Sequence, residues 1–195
     1  MSRFAKLLLS LSVCLVLFGC AHPISMNPDL ARIEAAGLKV VDMQVGYHIS
    51  DASKAVEVTT PGGGGDKVRY FPYRDLEPGF YKALGEVFKG VTKIRNPKDT
   101  AELQASGISM LIVPEISTSS SSPSLMTWPP TQFTLTLTCS ISDASGRPVR
   151  KLTVVGDGRA EFDEFKSNFS LSAVRAANDA LAKLMAALAT VDVTR

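Results

Sequence analysis

Alternation of apolar and polar residues, the pattern of a strand with one buried face, is clearest in the segment 133–142. Threonine or serine separates the apolar positions, which are Phe133, Leu135, Leu137, Cys139 and Ile141. The turn DASGRP then leads into a second strand at 149–155, so the two segments form an antiparallel hairpin. A similar alternation at 39–49 predicts another strand. The apolar stretch MLIVP within 108–116 predicts a central strand that is buried on both faces.

Helical spacing of apolar residues follows each group of strands. The segment 73–91 has such a stripe at Phe80, Leu84, Val87, Phe88 and Val91, and Pro78 lies early enough to occupy the first turn. A short strand at 92–95 and a short helix at 99–105, capped by Asp99 or Thr100, follow. The last helix begins after Ser170, which can cap it. Its buried stripe consists of Leu171, Val174, Leu181, Leu184, Leu188 and Val191.

Two stretches interrupt these elements and predict loops. Residues 59–67, TTPGGGGDK, have the composition of a flexible hairpin tip, and residues 117–131 are rich in serine and proline. Gly156 and Gly158 predict a bulge or an exit from the last strand. The order of elements favours an α+β fold, a two-layer sandwich with a mostly antiparallel sheet and two main helices on one face.

The N-terminus has the pattern of a secretory signal. Arg3 and Lys6 precede an apolar run at 7–18, which at about 1.5 Å per residue spans roughly 18 Å, too short to cross a bilayer. The residues Leu17, Phe18, Gly19 and Cys20 then resemble the lipobox of bacterial lipoproteins, although Phe18 is bulkier than is usual at its position.

This resemblance implies cleavage after Gly19 and a lipid-modified Cys20, with several acyl chains that make attachment permanent. In lipoproteins an aspartate after the cysteine favours the inner membrane, so Ala21 favours the outer membrane. We therefore expect a signal peptide at 1–19, a lipidated tether at 20–37 and one domain at 38–195. The element order of that domain resembles small periplasmic accessory lipoproteins: ABC-transport auxiliary lipoproteins, penicillin-binding-protein activators and the first domain of TolB.

Removal of the signal changes the charge of the protein. The chain has 21 Lys and Arg against 19 Asp and Glu, and the loss of Arg3 and Lys6 leaves 19 of each. The mature chain is formally neutral, which disfavours nucleic acid as a partner. Beyond Cys20 it retains one thiol, Cys139, which predicts a small buried side chain and no internal disulfide.

Patterns of catalytic or cofactor-binding residues are weak. His48 lies on the polar face of the first strand and belongs to no nucleophile motif. The glycines 62–65 precede Asp66 and Lys67 but lack the spacing of a phosphate loop. The carboxylates Glu161, Asp163 and Glu164 are neighbours in a segment that predicts a solvated surface. We therefore predict no enzymatic activity, no metal and no cofactor.

The best candidates for contact residues lie in the second loop, where Leu125, Met126 and Trp128 stand between serines and two prolines. Trp128 either contacts a partner or folds back over the core beside Phe133. Our first hypothesis is an outer-membrane, periplasm-facing accessory lipoprotein that binds another envelope protein through this loop or the glycine loop. The alternatives are a carrier or sensor of lipid or glycan, bound between the helices and the sheet, and a hydrolase.

Overall fold

The computed structural model describes residues 21–35 and 37–190, which contain eight strands and five α-helices. The strands are β1 (Ala21–Pro23), β2 (Val41–Tyr47), β3 (Val58–Pro61), β4 (Lys67–Tyr70), β5 (Phe88–Lys93), β6 (Met110–Ser121), β7 (Gln132–Asp143) and β8 (Pro148–Arg159). The helices are α1 (Asp51–Lys54), α2 (Pro72–Val87), α3 (Thr100–Ala105), α4 (Phe162–Phe165) and α5 (Leu171–Leu188). The predicted signal peptide 1–19, Cys20 and Val191 lie outside the described residues.

A five-stranded sheet organises the fold, with the order β5-β2-β6-β7-β8. Its two long ladders, β6 with β7 and β7 with β8, are antiparallel, and the shorter pairs that β2 makes with β5 and β6 are parallel. α2 and α5 pack together against one face of this sheet. The predicted α+β class is therefore confirmed, with a mixed sheet whose parallel pairs were not expected.

β6 is the central strand, and its apolar residues serve two cores. Met110 and Ile112 belong to the main core beneath α2 and α5, whereas Leu111 packs with Leu103 of α3 in a second cluster. The short helix α3 thus covers the other face of the sheet. This arrangement explains why apolar residues run without interruption here, since alternate side chains of a strand point to opposite faces.

The two main helices bury most of their predicted stripes, and α2 ends before its stripe does. Phe80, Leu84 and Val87 of α2 are buried, and Phe88 begins β5 with extended backbone. α5 begins after Ser170, whose hydroxyl oxygen makes no cap hydrogen bond and instead accepts one from the backbone N–H of Ser25. Ser170 therefore precedes α5 as predicted, but its hydroxyl does not cap the helix.

Gly156 and Gly158 lie inside β8, not at a bulge or an exit. A Cβ on Gly156 would lie 2.5 Å from the backbone N of Ala180, and one on Gly158 would lie 2.5 Å from the backbone N of Ala176. The two glycines therefore permit α5 to lie directly on β8. The face of α5 that contacts β8 carries small residues, including Ala176 and Ala180.

The N-terminal segment is packed on the domain, in contrast to the expected tether at 20–37. β1 pairs with β4 in parallel, and Ile24, Met26 and Ile33 are buried in the main core. The backbone N–H of Met26 donates to the buried carboxylate of Asp75, at 3.2 Å. Residues 21–35 thus form a strap across the domain. Their apolar side chains are buried in the main core, and their backbone forms hydrogen bonds with the domain.

Both predicted loops are shorter than expected, because strands occupy their ends. β3 and β4 take the flanks of the 59–67 stretch, and β6 continues to Ser121 within the serine-rich stretch 117–131. A chain of hydroxyls joins the small sheet β1-β4-β3 to β6: Ser120 donates to Thr60, and Tyr70 lies 2.7 Å from Thr118. The serines that indicated a flexible loop thus connect two sheets.

Candidate functional site

The ring of Trp128 is folded back onto the domain, as one of the two alternatives expected. The ring stacks on His22 with centroids 4.2 Å apart and planes 17° apart, and it also contacts Phe169 at 4.9 Å. It is half-buried and packs against the edge of the main core. His22 is two residues from Cys20, so the tryptophan lies beside the start of the described chain.

Leu125 and Met126 of the same loop point into solvent, with 87% and 92% of their surface exposed. These two residues keep the exposed position that a contact residue requires. The structure therefore separates the three predicted contact residues into an exposed pair and a packed tryptophan.

The glycine loop holds this second loop in place. The backbone N–H of Gly63 donates to the carbonyl of Trp128, and that of Gly64 donates to the carbonyl of Ser124, both at 2.8 Å. A Cβ on Gly62 or Gly63 would overlap with carbonyl oxygens of the loop 122–131. The glycines predicted to form a flexible tip thus provide a close-fitting support for Leu125 and Met126.

Two phenylalanines that the sequence analysis did not select complete this surface. Phe162 and Phe169 are 54% and 48% exposed, and together with Met126, Trp128 and Phe165 they line a shallow cavity of about 280 Å³. We call the set Leu125, Met126, Trp128, Phe162 and Phe169 the Trp128 surface. The signal in the sequence that could have identified them is the spacing of three phenylalanines, at 162, 165 and 169, among charged residues.

The carboxylates beside these phenylalanines have structural roles. Glu164 closes a capping box at the start of α4 and forms an ion pair with Arg175, and Asp163 pairs with Lys166. The hydrogen bond from Arg175 is the main reason that the pKa of Glu164 falls to about 2. A carboxylate held ionised in this way is unsuited to act as a general acid.

His48 and its neighbours form a second polar group, at the carboxyl ends of β2 and β5. The ring Nδ1 of His48 lies 2.8 Å from the carbonyl oxygen of Ile94, which accepts a hydrogen bond. Glu77 forms ion pairs with Lys54 and Lys93, and burial followed by the charge of Glu77 raises the pKa of Tyr47 to about 12. These groups bind one another, and none is arranged as a nucleophile beside a base.

The two edges of the main sheet differ sharply. At β8 the side chains of α5 occupy the outward backbone groups: Arg175 donates to the carbonyl of Arg159 at 2.7 Å, and Lys183 donates to that of Val155 at 2.8 Å. Between them, the backbone N–H of Asp157 donates to Asp179 at 2.9 Å. The half of β8 that these contacts cover is closed to a further strand.

At the other edge, β5 has β2 as its strand partner in the described part of the chain, and an apolar groove lies beside it. The groove has a volume of about 630 Å³, and its floor and walls include half-exposed Tyr81 and a helical glycine, Gly85, with open space around it. We call it the Tyr81 groove. Its apolar lining includes Leu30, Tyr81, Phe88 and Val91, and the charged residues Lys82, Glu86 and Lys89 also line it.

Within residues 21–35 and 37–190, no three His, Cys, Asp or Glu side chains come together as metal ligands. No helix in this part of the chain has the length and apolar character needed to cross a membrane. Cys139 is buried in β7 and makes no disulfide with any residue that the structure describes.

Comparison with known proteins finds no matching family model and no matching curated protein. Solved structures of similar arrangement include a DUF330 protein from Xanthomonas campestris, at 13% identity and a TM-score of 0.44, covering 87% of this chain and 90% of that one. A minor lipoprotein from Acinetobacter baumannii has 13% identity and a TM-score of 0.40, with coverage of 77% and 94%. A PelC dodecamer from Paraburkholderia phytofirmans has 13% identity and a TM-score of 0.34, with coverage of 74% and 94%. With identity and TM-score this low, nothing about the function of this chain follows from them.

Proposed function

We propose that this protein is a lipoprotein, anchored in the outer membrane through lipid on Cys20, that serves as a non-enzymatic accessory subunit of an envelope complex. An extended segment of a protein partner adds to the sheet at β5, with an apolar side chain in the Tyr81 groove. The observation that carries the binding role is the contrast between the two edges of the main sheet.

The lipid anchor is supported by the order of residues at the N-terminus. A charged start, a short apolar run and a small residue before Cys20 follow one another as in a lipoprotein signal. β1 starts at Ala21, so cleavage after Gly19 leaves every described element of the domain intact. Ala21 in place of aspartate supports the outer membrane.

Edge strands present unpaired backbone groups, and proteins usually protect them. Arg175, Asp179 and Lys183 protect the end of β8 with hydrogen bonds to its backbone. Among the described residues no side chain forms a hydrogen bond with the backbone of β5, and a mostly apolar groove lies beside it. An extended peptide that pairs with an open edge gains backbone hydrogen bonds, and adjacent pockets select its side chains.

A binding role fits the rest of the domain better than catalysis or transport of a ligand in the core. The polar groups around His48 bind partners within their own group, and so do those around Glu164. The space between α2, α5 and the sheet is filled by fully buried side chains, among them Phe80, Leu181 and Leu184. A carrier of lipid or glycan would need a cavity in that layer.

The anchor is tested by labelling cells with radioactive palmitate and isolating the protein. Cys20→Ser should abolish incorporation of label and release the protein from the membrane fraction. Cys14→Ser is the matched control, because that cysteine lies in the predicted signal peptide and should leave labelling unchanged. Label on the Cys20→Ser protein would contradict the proposed anchor.

The groove is tested with a photo-crosslinking amino acid in place of Tyr81, irradiated in intact cells. We expect a discrete adduct with one envelope protein. Gly85→Phe should abolish this adduct, because the new ring fills the groove from a position with open space around it. Gly85→Ala, which changes the same helix position but leaves the groove open, should retain the adduct.

Two results would overturn the proposed partner site. The first is an adduct that Gly85→Phe leaves at full yield, since the groove would then be dispensable. The second is the absence of any protein adduct from Tyr81 in cells that produce the folded protein. The palmitate experiment is independent of both results, so a negative result for the groove would not contradict the proposed lipid anchor.

A further inference from the structure

Almost no free length of chain separates the proposed lipid on Cys20 from the folded domain. Ala21 is bonded to Cys20, and consecutive Cα atoms lie about 3.8 Å apart. Ala21 already pairs with Lys67 in the small sheet, and the backbone N–H of Ile24 donates to the carbonyl of Arg69 at 3.0 Å. The part of the domain around β1 must therefore lie at the membrane that holds the lipid.

The Trp128 surface lies at this same place. His22, the second residue of β1, stacks on Trp128 and lies 3.4 Å from the carboxylate of Asp66 in the glycine loop. That loop supports the segment that carries Leu125 and Met126. The exposed apolar side chains of this surface are thus fixed next to the residue that follows the anchor.

We propose that the Trp128 surface rests in the interfacial region of the bilayer that holds the lipid on Cys20, so that the domain stands on the membrane in one orientation. The inference rests on the proposed lipid anchor and adds to it a second, non-covalent contact. Leu125 and Met126 enter the acyl region, and Phe162 and Phe169 lie at the level of the headgroups.

The composition of the surface suits a membrane interface. Tryptophan and other aromatic residues are enriched where hydrocarbon meets headgroups, and long basic side chains cover apolar groups while the charge stays in water. Here the ammonium of Lys166 lies 5.1 Å from the centre of the Phe162 ring. A protein partner on this surface would have to displace the bilayer to which the neighbouring cysteine is attached.

This orientation places the Tyr81 groove far from the membrane. Val91 of the groove pairs through Val45 with Met110, at the start of β6, whereas the loop of the Trp128 surface follows Ser121, at its end. At about 3.3 Å per residue, the length of β6 separates the Tyr81 groove from the Trp128 surface by roughly 35 Å. The groove is thereby directed toward the periplasm, where a partner can reach it.

The test uses the full lipidated protein, reconstituted into vesicles of phosphatidylethanolamine and phosphatidylglycerol. Some vesicles also contain phosphatidylcholine with acyl chains brominated near the headgroup, which quenches tryptophan at short range. Trp128 is the single tryptophan of the chain, so its fluorescence reports this surface alone. We expect the brominated vesicles to remove most of its emission.

Matched variants separate contact with lipid from mere proximity. The double variant Leu125→Ser, Met126→Ser should recover much of the emission, because the surface loses the side chains that hold it in the bilayer. The control double variant, Val40→Ser with Val149→Ser, also removes two exposed apolar side chains, and both lie near the opposite end of the sheet. This control should be quenched as strongly as the unaltered protein.

Each outcome bears on a different claim. Protein that floats with the vesicles but is not quenched retains its anchor and overturns the membrane contact. Protein that does not float lacks the lipid, which overturns the anchor and this inference with it. A photo-crosslinker at Met126 should yield lipid adducts in cells, and a protein adduct in their place would show that a protein covers this surface.

Discussion

The close contact between β8 and α5 gives the sharpest prediction of stability. Gly158→Ala adds one methyl group to a position where the strand lies against the backbone of the helix. The new Cβ would lie 2.5 Å from the backbone N of Ala176, and the carbonyl oxygen of Ser172 is closer still. Both neighbours are backbone atoms, so no side-chain rotation relieves the overlap.

The magnitude follows from the displacement that the methyl group requires. The tightest contact, 1.9 Å to the carbonyl oxygen of Ser172, sets this displacement. Non-bonded contacts between heavy atoms lie near 3.5 Å, so α5 must move by about 1.6 Å from β8. Such a movement also strains the hydrogen bonds of Arg175 and Lys183 to the strand. Overpacking of a core costs about 1–3 kcal/mol, and a clash between two backbones belongs at the upper end, about 3 kcal/mol.

The measurement is urea unfolding of the chain from Ala21 onward, followed by circular dichroism. With a slope of about 2 kcal/mol per M, the loss corresponds to a midpoint lower by about 1.5 M. The matched control is Gly85→Ala, the same chemical change at a helix position where a Cβ meets nothing within 4 Å. That variant should be more stable by up to about 1 kcal/mol, because alanine is the better helix former.

The two variants must therefore move the midpoint in opposite directions. If Gly158→Ala unfolds at the same urea concentration as Gly85→Ala, with an unchanged slope, the glycine is not required for the contact. The reasoning about the close approach of α5 to β8 would then be wrong.

Two further predictions concern titratable groups. The pKa of Glu164 is lowered from 4.5 to about 2, so its pairing with Arg175 stabilises the fold above pH 4.5, and this contribution is lost as the pH falls toward 2. Glu164→Gln should flatten the fall of the urea midpoint over that range, and an unchanged pH profile would refute the pairing. Burial raises the pKa of the Cys139 thiol to about 12, so a maleimide should label the native chain from Ala21 onward only as fast as the protein unfolds. Labelling at the rate of the unfolded chain would contradict its burial.

The strands of the main sheet could be predicted because their signal is local. In β7, Phe133, Leu135, Leu137, Cys139 and Ile141 are all buried, as the alternation required. The continuous apolar run of β6 correctly indicated a central strand. The apolar stripe of the last helix was an equally clear signal, and on the opposite face of that helix Asp179 and Lys183, four residues apart, form an ion pair at 2.7 Å.

The candidate site was only partly predictable. The exposure of Leu125 and Met126 agrees with their expected place on a loop, but Phe162 and Phe169 reach the same surface from another part of the chain. The strap was missed because residues 21–35 have no periodic pattern, and prolines with mixed polarity also occur in true tethers. Residues 117–121, four serines and Thr118, indicated a loop because composition alone does not show that another strand pairs with them.

The sequence by itself determined the elements whose apolar residues repeat with the period of a strand or a helix, and it determined the equal numbers of basic and acidic residues from Cys20 onward. Only the tertiary structure decided which edge of the sheet stays open and where Trp128 lies. It also brought the Trp128 surface next to the residue that follows Cys20. The physical reason is that periodicity records which face of an element is buried, whereas these features depend on hydrogen bonds and contacts between residues far apart in the chain.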